Sequence, residues 1–264
     1  MNKELYERAF NEESFEGGYI PTSYYLFDET ESTNEEIISR ANQGASEGTL
    51  AVALKQTKGQ GRSGRSFFSP NAGNLYMSFL LRPLSSTPMS LLTPAAAVAT
   101  RRAINRVLGI STQIKWVNDL YLDDKKVCGI IAKAMNIDDA NRMYVVIGIG
   151  INVHTPNEEI PDDIPNYGTL LDYSTNLEQE DIIPKLCAAL YSEYMKIYTD
   201  IDDVDFMNEY RSASNVIGKE VTYISGDKQI KVTVCDIDDE GSLIVTDENG
   251  NNVKYRDGEI RIKL

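Results

Sequence analysis

Acidic side chains are absent from the whole segment between residues 48 and 118, although the 264-residue chain has a formal net charge of −14. Nine lysines and arginines lie in that segment, and four of them fall in one run of eleven residues. These four are Lys55, Lys58, Arg62 and Arg65, with three glycines among them. Glycine lets a backbone approach a ligand closely, and a basic loop attracts anions. This run therefore predicts a binding site for a negatively charged molecule.

Histidine and cysteine are scarce. His154 is the only histidine, so we expect neither a Ser-His-Asp nor a Cys-His catalytic arrangement, and we interpret His154 as a loop residue. The three cysteines, Cys128, Cys187 and Cys235, lie far apart and lack the spacing of metal ligands. No metal-binding residues are predicted, and a reduced, cytoplasmic protein without disulfides is expected.

Long apolar runs are also missing, and none approaches the ~20 residues needed to span a bilayer. No membrane partner is therefore expected, and the N-terminus lacks the apolar stretch of a signal peptide. The first fifty residues hold eleven acidic side chains against three basic ones. Such a segment repels a phosphate backbone, so no DNA partner is expected.

Strand and helix patterns alternate along most of the chain. Strands are predicted at 23–27, 49–55, 74–82 and 143–153, and a hairpin turns at Asp123-Asp124. A capping box, Ser32 to Glu35, predicts a helix through about Gln43, and further helices are predicted at 88–108, 179–199 and 203–213. Residues 154–168 are rich in proline and polar side chains, which indicates a loop.

From Val216 onward, short alternating runs separated by turn signals indicate a small all-β unit. We therefore predict an acidic N-terminal leader at 1–22, a large domain at 23–213 and a β domain at 214–264.

The basic run contains Gly59, Gly61 and Gly64, which match the G-x-G-x-x-G spacing of dinucleotide-binding folds. That fold needs a helix opening at the third glycine and an acidic residue ~20 positions further on. Turn residues follow here instead, and no acid occurs before Asp119. The Gly-Lys-Ser/Thr of a P-loop is missing as well. On these residues alone, a ligand cradle and a plain surface loop stay equally open.

A second cluster, from Lys115 to Ile131, and an asparagine, Asn152, at the end of an apolar strand decide between them. Together with the basic run and with Ser32-Thr33-Asn34, these motifs resemble the biotin protein ligases in content and in order. The resemblance covers about residues 23 to 264 and is to the form without an N-terminal DNA-binding domain. It implies an α+β fold whose mixed central sheet is flanked by helices, as in class II aminoacyl-tRNA synthetases, with a small C-terminal SH3-like β-barrel.

The resemblance also implies a two-step ligase reaction. Biotin and ATP form biotinyl-5′-AMP and pyrophosphate, with Mg²⁺ on the triphosphate, and biotin then passes to a lysine of a biotin carboxyl carrier domain. A monomer and a homodimer both stay open.

Site residues are carried over from the resemblance one by one. The implied catalytic residues are Lys126, Arg62 and Asp119. The implied biotin-binding residues are Ser32, Thr33, Asn34, Gln56, Gln60, Gly61, Arg62, Lys126 and Gly129. The implied nucleotide-binding residues are Gly59, Gly64, Arg65, Trp116, Asn118, Asn152 and Tyr167.

Three positions depart from the pattern of these ligases. Gln60 replaces a usual arginine, Val117 a usual proline and Phe67 a usual tryptophan, but no reacting group is removed. Two alternatives remain: a lipoate or octanoate ligase of the same fold, and a biotin or adenylate sensor without activity. Lipoate relatives carry a histidine near their glycine-rich signature, and none precedes His154 here.

Overall fold

The computed structural model describes residues 1–70, 73–136, 143–156, 158–164, 166–171, 179–226 and 228–262. Positions 157 and 165 of the predicted loop lie outside these ranges. The helices are α1 (Lys3–Phe15), α2 (Thr33–Asn42), α3 (Leu92–Leu108), α4 (Gln179–Tyr198) and α5 (Phe206–Ser212). The strands are β1 (Ser23–Phe27), β2 (Thr49–Ala53), β3 (Leu75–Leu81), β4 (Gln113–Lys115), β5 (Asp119–Leu122), β6 (Lys125–Asn136), β7 (Met143–Ile151), β8 (Glu220–Ser225), β9 (Lys228–Ile237), β10 (Leu243–Thr246), β11 (Asn252–Tyr255) and β12 (Glu259–Ile262).

The central sheet has seven strands in the order β1-β2-β3-β7-β6-β5-β4. The first two strands run parallel and every other neighbouring pair is antiparallel, so the predicted mixed sheet is confirmed. All residues of β2 and β3 are buried, which explains their continuous apolar sequence. One face packs against α1, α3 and α4 in the main core. The other face packs against α2, through a smaller cluster that includes Ile37 and Val146.

Two helix predictions need correction. Ser32 is the N-cap of α2, but its side chain makes no capping hydrogen bond, so the predicted capping box is wrong. The predicted helix from Pro88 begins as a short 3₁₀ turn over Met89–Leu91, and α3 starts only at Leu92. Gly109 ends α3 with a φ of 69°, as its position after the apolar pattern predicted.

Helix α1 lies in the segment that the sequence indicated only as an acidic leader. Its buried residues, Tyr6, Ala9, Phe10 and Glu13, recur every three or four positions and face the core beside α4. None of the helices in the described ranges is both long and apolar enough to cross a membrane.

The C-terminal residues form a five-stranded antiparallel sheet in the order β11-β10-β9-β8-β12. Tyr223 of β8 and Tyr255 of β11 stack with their ring centroids 3.8 Å apart. Three strand spacings of about 4.8 Å would separate those strands in a flat sheet. The sheet is therefore strongly curled, which agrees with a barrel, while the SH3-like class stays a prediction.

Candidate active site

The site lies on the α2 side of the central sheet, where three glycines replace the side chains that would otherwise cover it. Gly129 of β6 and Gly150 of β7 are paired across the strands. Gly148 lies two residues before Gly150 on β7 and therefore on the same face. A Cβ at Gly129 or at Gly150 would lie 2.7 Å from the ring of Phe67. A Cβ at Gly148 would lie 2.3 Å from Asn34 Oδ1. These positions exclude any side chain, so they form the floor of a pocket.

This glycine-floored pocket has walls from α2, from the basic loop and from β6. Gln56 Oε1 accepts hydrogen bonds from the Thr33 amide at 2.8 Å and from Thr33 Oγ1 at 3.1 Å. Ser78 of β3 joins Thr33 to Asn34, with Oγ–Oγ1 and Oγ–Oδ1 distances of 2.7 and 3.0 Å. Nine of the predicted site residues line the pocket: Thr33, Asn34, Gln56, Gln60, Gly61, Arg62, Asn118, Lys126 and Gly129.

Ser32 lies directly beside this wall but does not line the pocket. Its side chain is 1% exposed, and its Oγ has no hydrogen-bond partner among the described residues. A buried hydroxyl without a partner is costly unless a ligand or water completes it. The failure of the capping box therefore leaves the Ser32 hydroxyl buried beside the pocket wall without a partner among the described residues.

A second cavity of about 480 Å³ lies between the basic loop, the β4–β5 connection and the C-terminal sheet. Arg65, Trp116 and Asp119 line it from the large domain. Gly61, Arg62, Phe67, Asn118 and Lys126 line both this interdomain cleft and the glycine-floored pocket. The two cavities therefore meet at Arg62 and Lys126.

Lys126 is partly buried rather than an exposed hairpin lysine. Its Nζ lies 2.7 Å from Asp119 Oδ1, and its side chain is 31% exposed against 17% for that of Asp119. Asn152 Nδ2 donates to the carbonyl of Lys126 at 3.2 Å and to that of Gly168 at 3.0 Å. The end of β7 thus fixes the backbone from which Lys126 projects.

Arg62 is held from the opposite side of the junction. Its Nη1 donates to Asn118 Oδ1 at 3.2 Å, and Asn118 Nδ2 donates to the carbonyl of Ile130 at 2.8 Å. The asparagine amide is therefore oriented by β6 and presents its oxygen to the guanidinium. Arg62 and Lys126 bring two positive charges to the point where the cavities join.

Of the other predicted site residues, Arg65 and Trp116 line the interdomain cleft only, and Gly59, Gly64, Asn152 and Tyr167 lie near the junction without lining either cavity. Arg65 forms an ion pair with Glu259 of β12, and the Trp116 indole is buried and donates to the carbonyl of Gly241 at 2.9 Å. Tyr167 is bridged to Lys126 through the backbone, and its ring packs edge-on against Phe68 with centroids 5.6 Å apart. Gly59 and Gly64 shape the loop, and Gly64 has a φ of 74°.

Lys115 and Glu259 are among the cleft-lining residues that the sequence did not single out as site residues. Burial lowers the pKa of Lys115, an effect that the nearby Asp119 carboxylate opposes. The hydrogen bond from Arg65 lowers the pKa of Glu259, against an opposing effect of burial. Lys115 could have been found, because it lies in the acid-free segment and begins the second motif cluster. Glu259 carried no such signal.

The described residues can supply little to a metal ion. Within the described ranges no group of three His, Cys, Asp or Glu side chains converges on one point. Asn152 Oδ1 is buried and has no hydrogen-bond partner there, so one neutral oxygen is available. This donor set fits a Mg²⁺ ion held mainly by phosphates and water.

Known families match both parts of this structure. Residues 26–152 match the biotin/lipoate A/B protein ligase family, and residues 216–262 match the biotin protein ligase C-terminal domain. The chain thus resembles the biotin protein ligases over both matched segments. The two matches cover the elements that build the glycine-floored pocket and the cleft beside it.

Individual relatives agree with this placement. The bifunctional ligase/repressor BirA of Bacillus spizizenii is 37% identical over 172 residues, which are 62% of this chain and 52% of that protein. The chain thus spans about half the length of that relative. The biotin–acetyl-CoA-carboxylase ligase of Mycobacterium tuberculosis is 27% identical over 88% of this chain and 86% of its own. The structure of the Aquifex aeolicus biotin protein ligase with biotin and ATP superposes with a TM-score of 0.74, at 26% identity, over 92% of this chain and 100% of its own.

Proposed function

We propose that the chain is a biotin protein ligase that activates biotin with ATP and transfers it to a lysine of a biotin carboxyl carrier domain. The observation that carries this proposal is the junction of the two cavities at Arg62 and Lys126. One cavity is small, and its lining includes four side-chain amides and the Thr33 hydroxyl, which suit a neutral bicyclic urea. The other is larger and holds Arg62, Arg65, Lys115 and Lys126, as a triphosphate requires.

In the first step, the biotin carboxylate attacks the α-phosphorus of ATP and pyrophosphate leaves. Two anions must approach each other, so a cation between them lowers the barrier. Lys126 lines both cavities and is the group placed to neutralise both reactants, with Arg62 opposite it. Mg²⁺ would neutralise the charge of the triphosphate, and Asn152 Oδ1 is the protein oxygen available to it.

In the second step, the acceptor lysine attacks the carbonyl carbon of the anhydride and AMP leaves with the bond electrons. The attacking amine must lose a proton. The Asp119 carboxylate faces the interdomain cleft and is the acceptor that this site offers. Its ion pair with Lys126 supports this role, because the proton acceptor would then lie beside the cation that would bind the mixed anhydride.

The C-terminal part favours biotin over lipoate or octanoate. The family matched by residues 26–152 includes both chemistries, whereas residues 216–262 match a domain described for biotin protein ligases alone. A sensor that only binds biotin or adenylate would need no proton acceptor beside its cations, whereas Asp119 pairs with Lys126 here and Arg62 lines the same cleft. The carrier domain as protein substrate belongs to this proposal as well, and a monomer and a homodimer are both compatible with it.

The test is an incubation of the chain with ATP, Mg²⁺ and labelled biotin, with and without a carrier domain. A ligase gives labelled adenylate when the carrier domain is absent and labelled carrier when the carrier domain is present. Labelled lipoate and octanoate in parallel tubes are the matched controls. Label on the carrier only from those acids would support the alternative ligase, and bound biotin without any pyrophosphate would support the sensor.

A further inference from the structure

A side-chain cluster at the edge of the glycine-floored pocket joins the basic loop to the body of the large domain. Gln60 Nε2 donates to Glu35 Oε1 at 3.1 Å, while Gln60 Oε1 accepts from Lys133 Nζ. The same Nζ lies 3.4 Å from Glu35 Oε1, which closes the ring of contacts. The mechanism proposed above uses neither Glu35 nor Lys133.

The three residues come from three separate elements. Glu35 lies in the first turn of α2, Lys133 lies in β6 and Gln60 lies in the basic loop. Gly129, Ile131 and Lys133 are every second residue of β6, so they lie on the same face of the sheet, which is the face that carries the glycine-floored pocket. The Lys133 side chain is 25% exposed, so its charge is partly shielded from water. The cluster therefore forms the rim of the pocket on the side away from the C-terminal sheet.

Gln60 is held by both ends of its amide. A donor and an acceptor face it at once, which fixes both the position and the orientation of that amide. The backbone of Gln60 also forms an isolated antiparallel β-bridge with Ser66 across the loop, and Arg62 follows Gln60 by two residues. Holding Gln60 thus holds the short loop segment that presents Arg62 to the junction of the cavities.

We propose that Glu35 and Lys133 form a latch that keeps the basic loop closed over the acyl-adenylate. They are positioning residues that act through Gln60 and touch neither reactant. This inference rests on the proposed function, because the latch has a role only if an activated intermediate must be retained. Opening the latch speeds release of the adenylate and leaves its formation nearly unchanged.

Loss of either charge of the latch should affect the position of the loop and not the stability of the fold. Exposed ion pairs contribute little to stability, and the Glu35 side chain is 51% exposed, so neither charge is needed for folding. The effect of losing either one is expected in the loop alone. Thermal unfolding of each variant should therefore match the wild-type chain, while the loop releases its ligand faster.

The experiment measures the release of preformed labelled adenylate from the desalted complex during a chase with unlabelled biotin and ATP. Lys133→Met and Glu35→Gln should each release it about three- to tenfold faster. Lys133→Arg should release it at nearly the wild-type rate. Lys58→Met, which removes an exposed loop cation paired with Glu31, is the matched control.

A double variant that exchanges the two charges is the most discriminating test of the latch. In the double variant Glu35→Lys, Lys133→Glu the Gln60 amide can turn over and satisfy the reversed pair, because it carries one donor end and one acceptor end. Release should then return close to the wild-type rate. Unchanged release in both single variants, or fast release that the exchange does not restore, overturns the latch alone. A wild-type chain that forms no adenylate overturns the proposed function and the latch with it.

Discussion

Lys126 Nζ lies 2.7 Å from Asp119 Oδ1, across the hairpin that β5 and β6 form. A bulge between Leu120 and Tyr121 shifts the register of these strands, and Lys126 is paired with Tyr121. The pair places the only carboxylate of the Lys115–Asp119 motif beside the cation that faces both cavities. The proposed chemistry depends on this pair, because one partner serves the first step and the other serves the second.

Replacement of Lys126 by alanine should lower the rate of adenylate formation by about a hundredfold or more, since the charge between two anions is lost. The measurement is pyrophosphate release with biotin and ATP. Lys125→Ala, at the exposed neighbouring position, is the control and should retain activity. A Lys126→Ala rate within about threefold of wild type, with the fold intact by circular dichroism, would falsify the catalytic assignment.

Replacement of Arg62 by glycine should leave adenylate synthesis measurable but let the intermediate escape. The guanidinium bonded to Asn118 is lost, and with it the charge contact that closes the loop on the phosphate. The readout is biotin labelling of unrelated proteins in the same tube. Lys58→Gly removes another cation from the same loop and should keep labelling confined to the carrier. The gating role is wrong if Arg62→Gly behaves like this control.

Replacement of Tyr167 by alanine should weaken binding of ATP or adenylate by about tenfold or more, since stacking on a purine contributes ~1–3 kcal/mol. Biotin binding without nucleotide should stay nearly unchanged. Both affinities can be measured by calorimetry. Tyr167→Phe keeps the ring and its packing on Phe68, so it should bind nucleotide like the wild-type chain. Equal losses for both ligands, or none for either, would remove Tyr167 from the site.

Replacement of Glu259 by glutamine should reduce stability at neutral pH by up to about 1 kcal/mol, as expected for a partly exposed ion pair. Arg65 lowers the pKa of Glu259 in the folded chain, so the wild-type carboxylate contributes stability above the unfolded pKa of about 4.3. That contribution is lost as the pH falls through the lower folded pKa. Urea midpoints of the two chains should therefore differ at neutral pH and converge in acid. A difference that is independent of pH would contradict this account.

Local patterns in the sequence were enough to place most elements. Strand β1 has the predicted bounds, and Gly109 ends α3 as expected. Apolar periodicity, glycine after a helix and turn residues between strands act over a few neighbouring positions. These patterns can therefore be interpreted without knowledge of the rest of the chain. Helix α1 was missed because its four buried side chains form a narrow stripe in a strongly acidic segment.

The sequence by itself also determined which segments carry the chemistry, since the acid-free basic loop and the Lys115–Asp119 motif are each contiguous in the sequence. Only the tertiary structure decided which of their side chains meet. Arg65 pairs with Glu259, 194 positions away, and Gln60 meets Lys133, 73 positions away. Strand order and register bring such groups together, and neither is encoded within a few residues of either partner. The same long-range packing leaves the Ser32 hydroxyl buried without a hydrogen-bond partner in the described part of the chain, where the local capping pattern had predicted a satisfied one.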